Sequence, residues 1–116
     1  MNDSKNMVKI AVEALSYKKA EDIKILDIGK ISPIADYFII ANGLNRNQVQ
    51  AMSDNVDDEL TKAGYVIKQL EGYSTGNWIL MDYNDIIVHI FSEEDRHFYN
   101  LEKVWHGGVN VSIEEL

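Results

Sequence analysis

Apolar residues recur at helical spacing near the N-terminus, where Met7, Val8, Ala11, Ala14 and Leu15 share one face between Ser4 and about Lys19. Lys5, Lys9, Glu13 and Lys18 take the wetter side, which predicts an amphipathic first helix. The period then shortens. Ile23–Ile28 and Asp36–Ala41 are β-rich runs separated by Gly29–Ala35 with its Ser32-Pro33 break, and they predict a pair of strands joined by a loop. Asn45 is a good helix cap, Gln48 is spaced to reach back as in a capping box, and Val49, Met52, Val56 and Leu60 form the next apolar stripe. Gly64 suits the left-handed turn that ends such a helix. Val66–Leu70 reads as a third strand and Glu71–Gly76 as a connecting loop, whose glycines lack the lysine and hydroxyl of a phosphate-binding loop.

From Asn77 to Phe91, β-rich runs flank Asn84-Asp85, residues that tolerate positive φ and suit a tight hairpin turn. A two-residue turn pairs Tyr83 with Ile86, Met81 with Val88 and Ile79 with Ile90, giving one largely apolar face. The opposite face then carries Trp78 beside Phe91, Leu80 beside His89 and Asp82 beside Ile87, a mixed surface suited to water or a partner. Ser92, with acids at 93–95, caps a predicted third helix carrying Phe98, Leu101 and Trp105, and Gly107-Gly108 ends it. Residues 107–116 form an acidic tail with no predicted element. The expectation is a single α/β domain over residues 1–106, with a mixed five-stranded sheet flanked by helices and the strand order open.

Composition narrows the chemistry. At 116 residues the chain has the size of one domain, and its absence of cysteine excludes disulfides, thiolate zinc sites and cysteine nucleophiles. The start is amphipathic rather than an apolar signal core, and no run spans a bilayer, so a cytoplasmic protein away from membranes is expected. A formal charge of −8 repels phosphate backbones and attracts basic proteins, which disfavours direct sequence-specific nucleic-acid binding. Asp82 and His89 lie diagonally on one face, but without a third convergent group they read as binding or structural residues rather than as an acid–base or metal site. The spacings Glu93–His97 and Glu102–His106 read as solvated pairs. No cofactor and no metal site is expected.

The run Asp36-Tyr37-Phe38-Ile39-Ile40-Ala41-Asn42-Gly43, followed by Asn45-Arg46 and Val49-Gln50-Ala51, resembles the first signature of the RsfS/Iojap family. Glu71-Gly72 and the stretch from Trp78 to Phe91 resemble its second, E-G…W-x-L-x-D-Y-G-D-x-x-V-H-x-F, and Phe98–Trp105 is similar to its closing F-Y-x-L-E-x-x-W run. The likeness covers nearly everything from Ile23 to Trp105. Leu44-Asn45 departs from the family's Thr-Ser and Asn84 from its hairpin glycine, although Asn45 still caps and Asn84 still turns.

The resemblance implies a nucleotidyltransferase-like fold without enzymatic activity, often a homodimer. It implies a ribosomal silencing factor that binds large ribosomal subunit protein fourteen at the intersubunit face. Such a factor sterically blocks subunit joining, especially in nutrient limitation. Trp78, Leu80, Asp82, Tyr83 and His89 are the expected partner-binding residues: an apolar anchor and its extension, an acid for a partner cation, and hydrogen-bonding groups. Strict alternation puts Tyr83 with Met81 on the other face, so Tyr83 takes part only if the hairpin end escapes alternation. The alternative is a metal-dependent nucleotidyltransferase, in which Asp82 and Asp85 hold a metal with a third carboxylate. The glycine-serine loop of such enzymes is absent, and Asp82 and Asp85 flank a turn rather than alternating on one strand face.

Overall fold

A computed structural model describes residues 3–93 and 109–116. Its elements run α1 (Ser4–Tyr17), β1 (Glu21–Asp27), β2 (Tyr37–Gly43), α2 (Arg46–Lys62), β3 (Gln69–Glu71), β4 (Trp78–Asp82), β5 (Ile86–Ser92) and β6 (Val109–Asn110), then a short 3₁₀ turn at Ile113–Glu115. The predicted third helix, with its aromatic set and its histidines, lies outside the described residues apart from its capping Ser92, which belongs to β5, and Glu93.

The sheet is six-stranded, in the order β3-β4-β5-β2-β1-β6. The five-strand expectation is therefore corrected by β6, which pairs antiparallel with β1 through Leu26–Asn110 and Asp27–Val109. Two residues from the tail carry no periodicity of their own, and only long-range pairing makes them a strand. β2 and β5 run parallel at the centre, and every other pairing among the described residues is antiparallel. Parallel neighbours need a long crossover, here supplied by α2 and the β3–β4 excursion. All seven residues of β2 are buried, as befits a central strand covered on both faces.

α1 and α2 pack on one face of the sheet. Their stripes (Met7, Val8, Ala11, Ala14 and Leu15; Val49, Met52, Val56 and Leu60) meet Ile39 and Ala41 of β2, Ile79 and Met81 of β4, and Val88 and Ile90 of β5 in one core. The side chain of Asn45 accepts the Gln48 backbone N–H at 2.9 Å, as a cap should. Gln48 reaches one residue further back than a simple capping box, accepting from the Leu44 N–H at 2.7 Å, while its amide donates to the Lys18 and Lys19 carbonyls. It thereby ties the start of α2 to the end of α1. Gly64, at φ +95°, closes α2 with the paired bonds Tyr65 N–H to Leu60 O and Gly64 N–H to Thr61 O, the arrangement that needs a residue without Cβ at that turn.

The third strand begins three residues later than predicted and ends one residue later. Val66 is 80% exposed, and pairing with β4 begins only at Gln69, opposite Asp82. The β-propensity of Val66 and Ile67 finds no strand beside it, and register with β4 decides the boundary.

Candidate functional site

The β4–β5 hairpin adopts the expected two-residue turn. Trp78 pairs with Phe91, Leu80 with His89 and Asp82 with Ile87, and the Tyr83 N–H donates to the Ile86 carbonyl at 3.0 Å. Asn84 sits at φ +71°, a conformation asparagine tolerates better than most residues, and its N–H donates to Oδ1 of Asp82 at 2.8 Å. Asp82 thus helps to shape the turn. Trp78, Leu80 and Asp82 remain partly exposed along β4, while the intervening Ile79 and Met81 are buried against the helices.

The face opposite the helices is far drier than alternation alone suggests. Leu26, Ile28, Phe38, Ile40, Ile87 and Phe91 form a second core there, with Trp78 and Leu80 packed at its margin. Four aromatic rings interlock: Trp78 stacks on Phe91 with centroids 5.2 Å apart, and Phe38 meets His89 edge-on at 4.7 Å. Phe38 comes from β2, whose position beside β5 was open in the sequence. The indole Nε1–H of Trp78 donates to Nδ1 of His89 at 3.1 Å.

His89 is 4% exposed, so it lies beneath the surface that Trp78 and Leu80 present and is not itself a surface contact. Burial lowers its pKa from 6.5 to about 4, so the ring is neutral at physiological pH. Because Nδ1 accepts, the proton sits on Nε2, and that nitrogen has no hydrogen-bond partner among the described residues.

Tyr83 does not join this group. It is 3% exposed on the helix-covered face, and its hydroxyl donates to Asp57 of α2 at 2.8 Å. The hairpin end obeys alternation, and Tyr83 ties the ribbon to α2. Burial and the Asp57 carboxylate push its pKa far above that of an ordinary phenol.

The alternation that excludes Tyr83 brings in residues the sequence reading passed over. Glu71 lies opposite Leu80 and Gln69 opposite Asp82, so both point to the Trp78 face. The Gln69 amide donates to Glu71 at 2.8 Å. The site is therefore an apolar step, Trp78 and Leu80, with Glu71 and Asp82 beside it. The signal was present in the motif Glu71-Gly72, but ending the predicted strand at Leu70 put Glu71 in the loop and hid the face it belongs to. Gly72, at φ +79°, lies where a Cβ would collide with the Trp78 carbonyl oxygen, so its lack of a side chain lets the loop close onto β4.

Among the described residues, no group of three or more His, Cys, Asp or Glu is placed to hold a metal ion. A groove of about 610 Å³ runs between α1 and α2, lined by residues including Tyr17, Asn55 and Glu59, and none of the five predicted site residues borders it. No helix among the described residues is long and apolar enough to cross a membrane.

The family model described as "Ribosomal silencing factor during starvation" matches residues 1–116. The Bacillus subtilis protein called Ribosomal silencing factor RsfS is 42% identical, over 89% of this chain and 87% of its own length. A crystal structure of a Chromobacterium violaceum protein superposes with a TM-score of 0.88 at 35% identity, covering 97% of this chain and 92% of that one. A more distant mouse relative, called Mitochondrial assembly of ribosomal large subunit protein 1, is 25% identical over 84% of this chain and 44% of its own length. Together with the hairpin that carries the second signature, these matches show that the chain belongs to the RsfS/Iojap family of ribosomal silencing factors.

Proposed function

We propose that the chain is a non-catalytic translation repressor of the cytoplasm. It binds the large ribosomal subunit through that subunit's protein fourteen, at the intersubunit face, and keeps the small subunit from joining, above all when nutrients are limiting. The observation that carries this reading is the partly exposed Trp78–Leu80 step at the margin of an otherwise buried sheet face, with Asp82 and Glu71 beside it. An aromatic anchor set among acids is the complement of a basic protein surface with an apolar recess. The family's description names ribosomal silencing during starvation, and the mouse relative's name concerns the large subunit. The chain's charge of −8 favours a protein surface over ribosomal RNA as the direct contact.

In this reading Trp78 and Leu80 make the apolar contact, and Asp82 and Glu71 meet partner lysines or arginines. His89 and Tyr83 act from behind, the first on the indole and the second on the hairpin. Steric occlusion needs no covalent step. The reading includes a homodimer of the free chain as a second association.

Equilibrium binding of the labelled chain to purified large subunits tests the face. Trp78→Ala, with its fold checked by circular dichroism, is expected to lose a hot-spot-sized contribution, about 2 kcal/mol or roughly thirtyfold in Kd. A folded Trp78→Ala that binds as tightly as wild type contradicts the face, and a wild-type chain that binds neither subunit contradicts the function.

A further inference from the structure

The indole of Trp78 is already committed within the chain. Its N–H donates to Nδ1 of His89 at 3.1 Å, from the buried side of a ring whose face stacks on Phe91. That bond is the imidazole's one recorded hydrogen bond among the described residues, since Nε2 has none. A buried donor left without an acceptor is costly, and an apolar residue between Leu80 and Ile40, the cross-strand neighbours of His89, would avoid that cost. What an apolar residue cannot supply is the acceptor for the indole. If a docking partner took the indole N–H for itself, both nitrogens of a 4%-exposed imidazole would be unsatisfied.

We propose that His89 is a positioning residue for docking: it satisfies the Trp78 N–H from beneath and so presents the indole as an apolar anchor, whose site on the partner is an apolar recess without a hydrogen-bond acceptor for the indole. The proposal rests on the docking reading above and specifies the chemistry of the surface that receives Trp78. A partner that offers a carbonyl or carboxylate to the indole fits this face less well than one that offers aliphatic side chains.

The bond is read directly in the free chain by NMR, as a scalar coupling across the hydrogen bond between Nε1 of Trp78 and Nδ1 of His89. The chain has two tryptophans, so Trp78→Phe assigns the resonance. The coupling is expected in the wild type and expected to persist when isolated protein fourteen of the large subunit binds. Its absence in the free chain overturns the positioning role, and its loss on binding overturns the apolar recess.

In large-subunit binding, His89→Leu is expected to weaken affinity about fivefold to tenfold, the size of one lost hydrogen bond. His89→Asn, whose amide oxygen falls near the place of Nδ1, is expected to recover most of the loss. Trp78→Phe should cost less in the His89→Leu background than in the wild type. Wild-type affinity in a folded His89→Leu overturns the proposal. If His89→Leu does not fold, the coupling and the His89→Asn affinity decide it. A wild-type chain that shows the coupling but does not bind large subunits retains the bond and removes the docking reading, and with it this role.

Discussion

Trp78, Leu80, Asp82 and His89 share a face, but they do not share a role. Trp78 and Leu80 are partly exposed at the edge of the second core, Asp82 divides its carboxylate between surface and turn, and His89 is a buried acceptor. The neutral state of His89 links stability to pH. Its ring takes up a proton near 6.5 in the unfolded chain and only near pH 4 in the fold, so the unfolded state binds more protons between those values. The associated stability is fully present above pH 6.5 and lost as pH falls through about 4, a loss on the order of 3 kcal/mol for this group. Urea unfolding of wild type and His89→Asn across pH 7 to 4 isolates it. The variant's curve should be flatter, and parallel curves would contradict the buried neutral ring. Tyr83 belongs to the core, so Tyr83→Phe is expected to lower stability by about 1 kcal/mol while leaving large-subunit affinity unchanged. A drop in affinity with stability intact would return Tyr83 to the contact surface.

The elements show which parts of this arrangement local sequence can specify. α2 was legible at both ends, because Asn45 and Gly64 act through bonds to residues within five positions of themselves. Asn45→Ala removes the cap and, with it, the setting in which Gln48 reaches Leu44 and α1. It should cost about 1 kcal/mol or more in thermal or urea unfolding, and an unchanged midpoint would mean that packing alone holds the helix start. The hairpin register was equally legible, since Asn84-Asp85 fixes the turn and alternation fixes the rest. β3 and β6 were not. Gln69–Glu71 is a strand because Leu80, Met81 and Asp82 lie opposite it, and Val109–Asn110 because β1 does. The same limit explains the site. Phe38, which helps to bury His89, arrives from β2 across a parallel pairing that no local pattern announces.

At the scale of the molecule, α1 and α2 occupy one side of the sheet and the Trp78–Leu80 step lies on the other, beside Glu71 and Asp82. The net charge of −8 adds a long-range attraction to basic surfaces that is independent of the step's shape. In the proposed function, docking and silencing are one event, because a chain seated on the intersubunit face would occupy space the small subunit needs. The most direct measurement is sedimentation of purified large and small subunits in a gradient, with wild type or Trp78→Ala, following both the chain and the joined ribosome. Wild type is expected to travel with the large subunit and to deplete joined ribosomes, and Trp78→Ala is expected to do neither. Joined ribosomes that persist while the wild-type chain saturates the large subunit would contradict the account.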